Sequence, residues 1–244
     1  MNANKLLRFA NMFYSLATGE EVPADTRDYK TILTNLAKLE TYQARKQYAE
    51  NNLKHLSSGS SRIVYLSPDK TILKMAKNDK GIAQNKAESN PDMKSKFLNE
   101  TIKHAPNYAW METHYLDKIS KPEFEDMTDL KFDDFGESIS YALKNVSENT
   151  ELKKPPNFEK VEKSEIYKEL KRIGEKFKLM PGDLARISSW GTKDGRPVLI
   201  DAGLTADVFA DYYEDDSKST SKSWFTTIPL SHGSSQLSRV LPNV

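Results

Sequence analysis

The sequence predicts an α+β fold in which an antiparallel sheet is combined with helices. Two β-rich runs, Arg62–Leu66 and Thr71–Ala76, are separated by a turn at residues 67–70, and this pattern is typical of neighbouring antiparallel strands. Apolar residues at helical spacing before residue 53 and after residue 164 predict helices on both sides of these strands in the chain. With 244 residues, the chain can form one large domain or two small lobes that share a cleft.

The composition is that of a polar globular protein with nearly balanced charge. Lys and Arg total 36, Asp and Glu total 35, and hydrophobic residues make up 37% of the chain. A net charge of +1 gives no general field that would attract nucleic acid or an anionic membrane, so we expect neither as a partner. The chain has no cysteine, which excludes disulfides, zinc–thiolate sites and cysteine nucleophiles.

The hydropathy pattern gives an expectation about location. No apolar run approaches the roughly 20 residues that a membrane-spanning helix requires. The first seven residues lack the continuous apolar core of a signal peptide. We therefore expect a cytoplasmic location, or a particle that is assembled in the cytoplasm.

Residues 1–52 predict a helical N-terminal extension. Apolar residues recur at helical spacing over residues 4–18. Asp25 is the candidate N-cap of a long second helix that continues to about residue 52. The apolar face of this second helix consists of Tyr29, Ile32, Leu33, Leu36, Leu39 and Tyr42. The extension is interpreted as a packing unit without chemistry of its own.

Small residues at positions 57–61 form a candidate phosphate-binding loop ahead of the first β-rich run. Ser58, Gly59 and Ser60 are its central residues, and small side chains allow backbone N–H groups to approach a phosphate closely. Most such stretches are flexible hairpin loops, so both interpretations stay open for this segment taken alone.

Lys74 and Glu88 are the candidate charged pair of the same region. Lys74 lies near the end of the run Thr71–Ala76, and Glu88 lies on a helix expected over residues 83–89 and closed by Pro91. A lysine on a strand usually faces solvent. A strand lysine that meets a glutamate of the next helix can instead form an ion pair above a phosphate.

The middle of the chain gives one further strand and one strong helix. Residues 108–116 are interpreted as a strand that leads into a connector. Ser164 is the N-cap of a helix whose apolar positions are Ile166, Tyr167, Leu170, Ile173 and Phe177. Between them the signal is weak: acidic stretches at residues 123–126 and 133–134 are interpreted as solvated faces, with a short helix over residues 138–144.

Two aspartates frame the stretch from residue 180 to residue 205. Asp183 is placed on a loop, and Asp201 follows an apolar run at residues 197–200 that predicts a buried strand. Asp194 and Gly195 predict a hairpin turn between them. A carboxylate at the end of an apolar strand is a candidate metal ligand, because a cation or a donor must offset its burial. The alternative is a surface hairpin with two ordinary acidic residues.

The remaining segments are expected to be peripheral. Residues 206–213 predict a short helix, and residues 214–222 are charged, rich in serine and expected to be mobile. Residues 224–244 form a tail with enough apolar residues to dock on its own domain or on a partner.

Taken in order from residue 53 to residue 213, these features resemble the protein-kinase and aminoglycoside-phosphotransferase superfamily. The order is small-residue loop, strand lysine, helix glutamate, connector, helix, loop aspartate, hairpin and strand-end aspartate. Gly182-Asp183-Leu184 matches the G-D-L of the small-molecule kinases, and Asp201-Ala202-Gly203 matches D-F-G. The W-G, D-G-R-P and I-D-x-G-L segments, together with residues 74–85, look like those of kinase-like proteins encoded by bacteriophages.

The resemblance implies a protein-kinase-like two-lobe fold with an antiparallel N-lobe sheet and a reduced C-lobe. Residues 53–116 would form the N-lobe, residues 117–213 the C-lobe and residues 214–244 a C-terminal tail. ATP and Mg²⁺ are the implied cofactors, and in a virus-encoded protein the location would be the host cytoplasm or the virus particle.

The resemblance also implies a role for each candidate site residue. Lys74, held by Glu88, would neutralise the phosphates of ATP, and Ser58, Gly59 and Ser60 would lie over them. Asp201 would hold Mg²⁺ and Asp183 would orient or deprotonate the acceptor hydroxyl. The connector at residues 111–115 would meet the adenine with its backbone groups.

Several departures from the family pattern leave the activity open. Ser188 or Ser189 stands where an asparagine normally binds the second metal. Of these two, Ser189 is named as the candidate metal ligand. Ala185 replaces an expected lysine or histidine, with Arg186 beside it, and Gly59 is the single glycine of the phosphate loop. No A-P-E segment is present, and only about forty residues follow Gly203.

Three hypotheses therefore stand. The chain is an ATP- and Mg²⁺-dependent phosphotransferase, or a catalytically inactive pseudokinase. In the second case it would serve in a virus particle or bind a host protein through its N-terminal helices or its C-terminal tail. The third hypothesis is an unrelated α+β binding domain in which the matches arise by chance.

Overall fold

Five antiparallel strands form the larger of two sheets in the computed structural model, which describes residues 29–148 and 153–219. The strands are β1 (Lys54–Ser58), β2 (Arg62–Leu66), β3 (Thr71–Ala76), β4 (Thr101–His104) and β5 (Trp110–His114), in the spatial order β1-β2-β3-β5-β4. This sheet and the helices around it confirm the predicted α+β class. The helix expected over residues 4–18, the N-cap Asp25 and the tail from residue 220 onward lie outside the described residues.

Two helices, α1 (Tyr29–Lys38) and α2 (Tyr42–Asn52), precede the sheet. The prediction of one long helix is wrong here, because the first helix ends at Lys38 and Thr41 caps the second by accepting a hydrogen bond from the Ala44 amide. Arg45 donates to the Leu39 and Glu40 carbonyls left free at the break. Most of the predicted apolar face is buried against the sheet, and Leu39 and Tyr42 are partly buried at its end. The sheet residues of this core are Ile63, Tyr65, Leu73 and Met75.

Strands β2 and β3 have the predicted bounds, and their ladder pairs Arg62 with Ala76 and Val64 with Lys74. Strand β1 extends further than expected: Ser58 pairs with Ile63 in the ladder and does not belong to the loop. Helix α3 (Asp79–Glu88) begins four residues earlier than predicted. It begins there because the Asn78 side chain accepts a hydrogen bond from the Gly81 amide.

Most of the helices after the sheet surround a second core. They are α4 (Lys121–Thr128), α5 (Phe132–Glu148), α6 (Phe158–Glu162), α7 (Glu165–Phe177) and the single turn α8 (Pro181–Leu184). The short helix predicted over residues 138–144 is much too short, because Phe132, Phe135 and Ile139 extend the buried face of α5 toward its start. The N-cap Ser164 is confirmed by its hydrogen bond from the Tyr167 amide.

The indole of Trp190 lies at the centre of this second core. Its ring meets those of Phe124, Phe132 and Phe135 at edge-on angles. Its Nε1 donates to the Leu184 carbonyl over 3.0 Å. That bond ties α8, and with it Asp183, to the core.

The smaller sheet contains β6 (Asp117–Lys118), β7 (Trp190–Lys193) and β8 (Arg196–Leu199). Asp194 and Gly195 have φ values of 51° and 72°, which is the left-handed pair that a tight hairpin turn requires, so the predicted D-G turn is confirmed. Leu199 exchanges backbone hydrogen bonds with Phe97 and Asn99, so the end of β8 is fixed beside the segment that follows α3. Asp201 follows directly.

Helix α9 (Ala206–Ser219) is the last described element. It continues through the first part of the segment that was expected to be mobile. Among the described residues, none of the helices combines the length and apolar character needed to cross a membrane. The predicted boundaries after residues 52, 116 and 213 stay predictions.

Candidate functional site

Lys74 and Glu88 form an ion pair beneath the large sheet. Lys74 lies on the central strand β3, and its Nζ contacts Glu88 Oε1 and donates to the Ile200 carbonyl over 2.8 Å. The side chains of Lys74 and Glu88 are only 4% and 3% exposed. Their pairing offsets the cost of burying each charge.

Gly81 allows helix α3 to lie close enough for this pair to form. A Cβ at position 81 would come within 2.2 Å of the Ser61 carbonyl oxygen and 3.0 Å of Ala76 Cα. No real contact is that short, so only glycine fits between the helix and the strands. The sequence thus sets the position of Glu88 through a small residue two turns before it.

Arg62 joins the pair and connects it to Asp201, after the hairpin of the smaller sheet. Its Nη1 donates to Glu88 Oε2 over 2.7 Å, and its Nη2 donates to Asp201 Oδ1 over 2.5 Å. Its side chain is 8% exposed. Burial would lower the pKa of Arg62, but the charges of Asp201 and Glu88 outweigh it and raise the pKa above its usual value. The guanidinium is therefore a permanent cation.

These four residues, Arg62, Lys74, Glu88 and Asp201, are called the ion cluster below. They come from β2, β3, α3 and the end of the hairpin, and their two positive and two negative charges balance. Arg62 was not predicted as a site residue: it was predicted as the first residue of the β-rich run Arg62–Leu66. An arginine that opens a strand of otherwise buried residues is the signal that could have revealed it, because such a charge needs a carboxylate partner.

Asp201 is the most open member of the ion cluster. Its side chain is 43% exposed, and Oδ1 also accepts a hydrogen bond from the Gly203 amide over 3.3 Å. Burial alone would raise the pKa of Asp201, but Arg62 and Lys74 hold it well below its usual range. A Cβ at Gly203 would lie 2.8 Å from the Gln84 carbonyl oxygen, so this glycine lets the segment lie against α3.

Asp183 lies on the single turn α8, within electrostatic range of Asp201, Arg62 and Glu88. Its side chain is 22% exposed, and its nearest cation is Arg186, with Nη1 at 3.7 Å from Oδ1. Burial, with the negative charge of Asp201 as the second cause, raises the pKa of Asp183 to about 6. A carboxylate with such a pKa can accept a proton near neutral pH.

Ala185 and Ser189, the two departures from the family pattern that follow Asp183, have different structural surroundings. Ala185 lies against Gly136 of α5: a Cβ on residue 136 would come within 3.2 Å of the Ala185 Cβ. Ser189 ends a 3₁₀ turn (Ile187–Ser189), and its carbonyl accepts the Ile200 amide over 2.8 Å. Ser189 and Asp201 are thus held near each other by the backbone.

The candidate phosphate loop is a tight hairpin connection. The Gly59 amide donates to the Arg62 carbonyl over 2.8 Å, so this N–H group is already used. The carbonyls of Gly59 and Ser60 accept from the Lys77 and Asn78 side chains at 2.6 and 3.4 Å. A phosphate cradle needs free amides, and the role of Ser58, Gly59 and Ser60 toward phosphate stays a prediction.

Asp201 and Ser189 are the residues predicted to hold a magnesium ion. Mg²⁺ is usually held by one or two carboxylates together with phosphate and water oxygens. Residues 29–148 and 153–219 contain no group of three or more His, Asp or Glu side chains that could hold a metal without such ligands. One oxygen of Asp201 already carries the Arg62 guanidinium. This bond with Arg62 competes with a metal at Asp201, and the magnesium role of Asp201 and Ser189 stays a prediction.

Gln84 connects the ion cluster region to helix α9. Its Oε1 accepts from the Ser61 hydroxyl over 2.7 Å, and its Nε2 donates to the Tyr213 hydroxyl over 3.1 Å. The Lys80 Nζ lies 4.6 Å from the centre of the Tyr213 ring, within the range of a cation–π contact. Helix α9 is therefore attached to α3 by a polar and an aromatic contact.

Comparisons with known proteins give likenesses of structure alone. No protein-family model and no curated protein matches the chain. The similar solved structures include the streptomycin–ATP–APH(2")-IIa ternary complex, at 13% identity and a TM-score of 0.32, and the kinase domain of PknI from Mycobacterium tuberculosis, at 14% identity and a TM-score of 0.28.

The first likeness covers 68% of this chain and 71% of the other, and the second covers 63% and 59%. At these TM-scores neither of them assigns a role to any residue of this chain.

Proposed function

We propose that this chain is a kinase-like protein. The support is that Lys74, Glu88, Asp183 and Asp201 lie within electrostatic range of one another, next to a five-stranded antiparallel sheet. They follow one another in the chain in the order that the sequence resemblance implies. Within that class, we propose a catalytically inactive protein of the bacteriophage type that works by binding, either in a virus particle or on a host protein.

The ion cluster is the single observation that carries the inactive assignment. A phosphotransferase presents a lysine to the phosphates of ATP and an aspartate to the metal. Here Lys74 has the Glu88 partner that such an enzyme requires. However, Lys74 also donates to the Ile200 carbonyl, and Asp201 is bonded to Arg62. Since Arg62 comes from β2 and Asp201 follows β8, their bond ties the large sheet to the end of the hairpin.

Phosphate transfer from labelled ATP tests this proposal. The wild type should transfer no more phosphate, to itself or to a generic acceptor, than the Asp201→Ala variant does, with Mg²⁺ or Mn²⁺ present. Transfer that disappears in Asp201→Ala would contradict the inactive assignment. The melting temperature with and without ATP would then separate a nucleotide-binding pseudokinase from one that binds none, because ligand at a hundredfold excess over Kd adds about 2.7 kcal/mol.

A phosphotransferase is the second candidate, and Asp183 is the observation that favours it. Its pKa of about 6 and its partial exposure suit a group that accepts a proton from an acceptor hydroxyl. In this case Asp183→Asn should abolish transfer with little effect on ATP binding. Transfer that persists in Asp183→Asn would exclude this role.

The binding role needs a truncation that leaves the core intact. Tyr29, Leu33 and Leu36 are buried in the core beneath the sheet, so removal of residues 1–52 would unfold the protein and would not report on binding. We propose removing residues 1–28 or 220–244 separately and measuring partner binding. Equal binding by both truncated forms and the full chain would count against a role for either end.

A further inference from the structure

Asp201 already has a cation, and the chain supplies it. The Arg62 guanidinium donates to Asp201 Oδ1 over 2.5 Å and to Glu88 Oε2 over 2.7 Å. Lys74 contacts the other oxygen of Glu88. The ion cluster therefore contains two cations and two carboxylates and reaches neutrality without any bound ion.

We propose that Arg62 is the resident cation of Asp201, so that this site excludes divalent metal ions and the cleft assembles without one. The inference rests on the proposed kinase-like placement of Asp201, which is otherwise the residue expected to hold the metal. Arg62 is then the specificity-determining residue of the site, because its charge decides which cation the carboxylate accepts.

The geometry explains why an arginine can take this position. Its planar fork presents separate N–H groups to two carboxylates, and here Nη1 and Nη2 divide between α3 and the hairpin end. A guanidinium keeps its charge at all ordinary pH values. A fixed internal cation thus ties β2 to Asp201 permanently, whereas a metal ion would exchange with solvent.

Electrostatics gives the sign of the effect on metal binding. A dication at Asp201 would lie within a few ångströms of the Arg62 charge and next to Lys74. Repulsion at such distances is large even at the high effective dielectric of a partly exposed site. Exposure of the Asp201 side chain leaves the carboxylate reachable by ions, so the exclusion depends on charge and not on burial.

Calorimetric titration with Mn²⁺ alone tests the proposal on the full chain. The wild type and Asp201→Asn should bind Mn²⁺ equally weakly, because Asp201 is not a metal ligand while Arg62 is present. Arg62→Gln should bind at least about tenfold more tightly than the wild type, since a nearby like charge has been removed. Arg62→Lys keeps the charge and should show no gain, and Arg62→Gln with Asp201→Asn should lose the gain.

Each outcome decides the question. Tight Mn²⁺ binding by the wild type that Asp201→Asn abolishes would overturn the proposal, and so would a folded Arg62→Gln variant with no gain. Far-ultraviolet circular dichroism checks that Arg62→Gln is folded; if it is not, the pair of wild type and Asp201→Asn still decides. Failure of the proposed function has a different signature, namely phosphate transfer that depends on Asp201, so the two failures can be told apart.

Discussion

Asp183 and Asp201 are the same residue type, but their pKa values are shifted in opposite directions. Asp201 accepts from Arg62 and the Gly203 amide, and its pKa lies well below the usual range. Asp183 has only Arg186 at 3.7 Å, and burial raises its pKa to about 6. The difference lies in what surrounds each carboxylate. Around α3 the charges of the ion cluster are paired at short distances. On α8, Asp183 has a longer contact with the exposed Arg186.

Substitutions in the ion cluster should lower the free energy of unfolding more than substitutions elsewhere in the molecule. Glu88→Ala would leave Arg62 and Lys74 buried with no shared carboxylate, and we expect the free energy of unfolding to fall by about 3–5 kcal/mol. Glu50→Ala is the matched control, because Glu50 is 47% exposed and pairs with Lys46 at 3.7 Å. The control should change stability by less than about 1 kcal/mol. Urea unfolding measures both, and equal losses would show that the ion cluster has no special role.

Two glycines give a second comparison between the region around α3 and the region around α8. Gly81→Ala would force a Cβ to within 2.2 Å of the Ser61 carbonyl, whereas a Cβ at Gly182, next to Asp183, meets nothing within 4 Å. We expect Gly81→Ala to cost about 1–3 kcal/mol and Gly182→Ala to stay within about 0.5 kcal/mol of the wild type. The measurement is urea unfolding of both variants. A tolerated Gly81→Ala would mean that α3 can move away from β2 without loss.

The pKa of Asp183 predicts a pH effect on stability. Because its pKa rises from 3.8 in the unfolded chain to about 6 in the folded protein, the folded state binds more protons between these values. The free energy of unfolding therefore falls as pH rises from about 4 to about 6. Asp183→Asn should remove this fall and be more stable than the wild type at pH 8 by about 1–2 kcal/mol, after allowance for partial exposure.

Asp201 contributes with the opposite sign. Its lowered pKa gives stability that is complete above the unfolded value of 3.8 and is lost as pH falls below it. Thermal unfolding of the wild type, Asp183→Asn and Asp201→Asn between pH 3 and pH 8 separates the two windows. An Asp183→Asn profile parallel to that of the wild type would show that Asp183 is an ordinary surface carboxylate.

The smallest expected effect concerns the attachment of α9 to α3. Tyr213→Phe removes the hydrogen bond from Gln84 but keeps the ring beside Lys80, so we expect a loss of about 0.5–1.5 kcal/mol. Hydrogen exchange should show faster opening of α9 with unchanged protection of β3. Unchanged exchange in α9 would mean that the Gln84 bond does not hold this helix.

Much of the fold could be predicted because its signals are local. Strands β2 and β3, the Asp194-Gly195 turn and the Ser164 cap each depend on a few consecutive residues. The break at Thr41 and the early start of α3 were missed, since Thr41 and Asn78 act as caps only where the backbone turns to meet them.

The ion cluster shows why the candidate site was only partly predictable. Lys74 and Glu88 were found because strand and helix follow each other in sequence. Arg62 was missed because its partner Asp201 is far away in the chain and meets it only through tertiary packing. The long face of α5 was missed for a similar reason, as acidic residues such as Asp133 lie between the phenylalanines that it buries.

A double-mutant cycle between Arg62 and Asp201 tests the central claim most directly. Urea unfolding of the wild type, Arg62→Gln, Asp201→Asn and the double variant gives the coupling energy of the bond between the two residues. We predict a coupling of at least about 1 kcal/mol, because the arginine is buried even though the aspartate is partly exposed. A coupling within about 0.3 kcal/mol of zero would contradict the claim that Arg62 is the resident cation of Asp201.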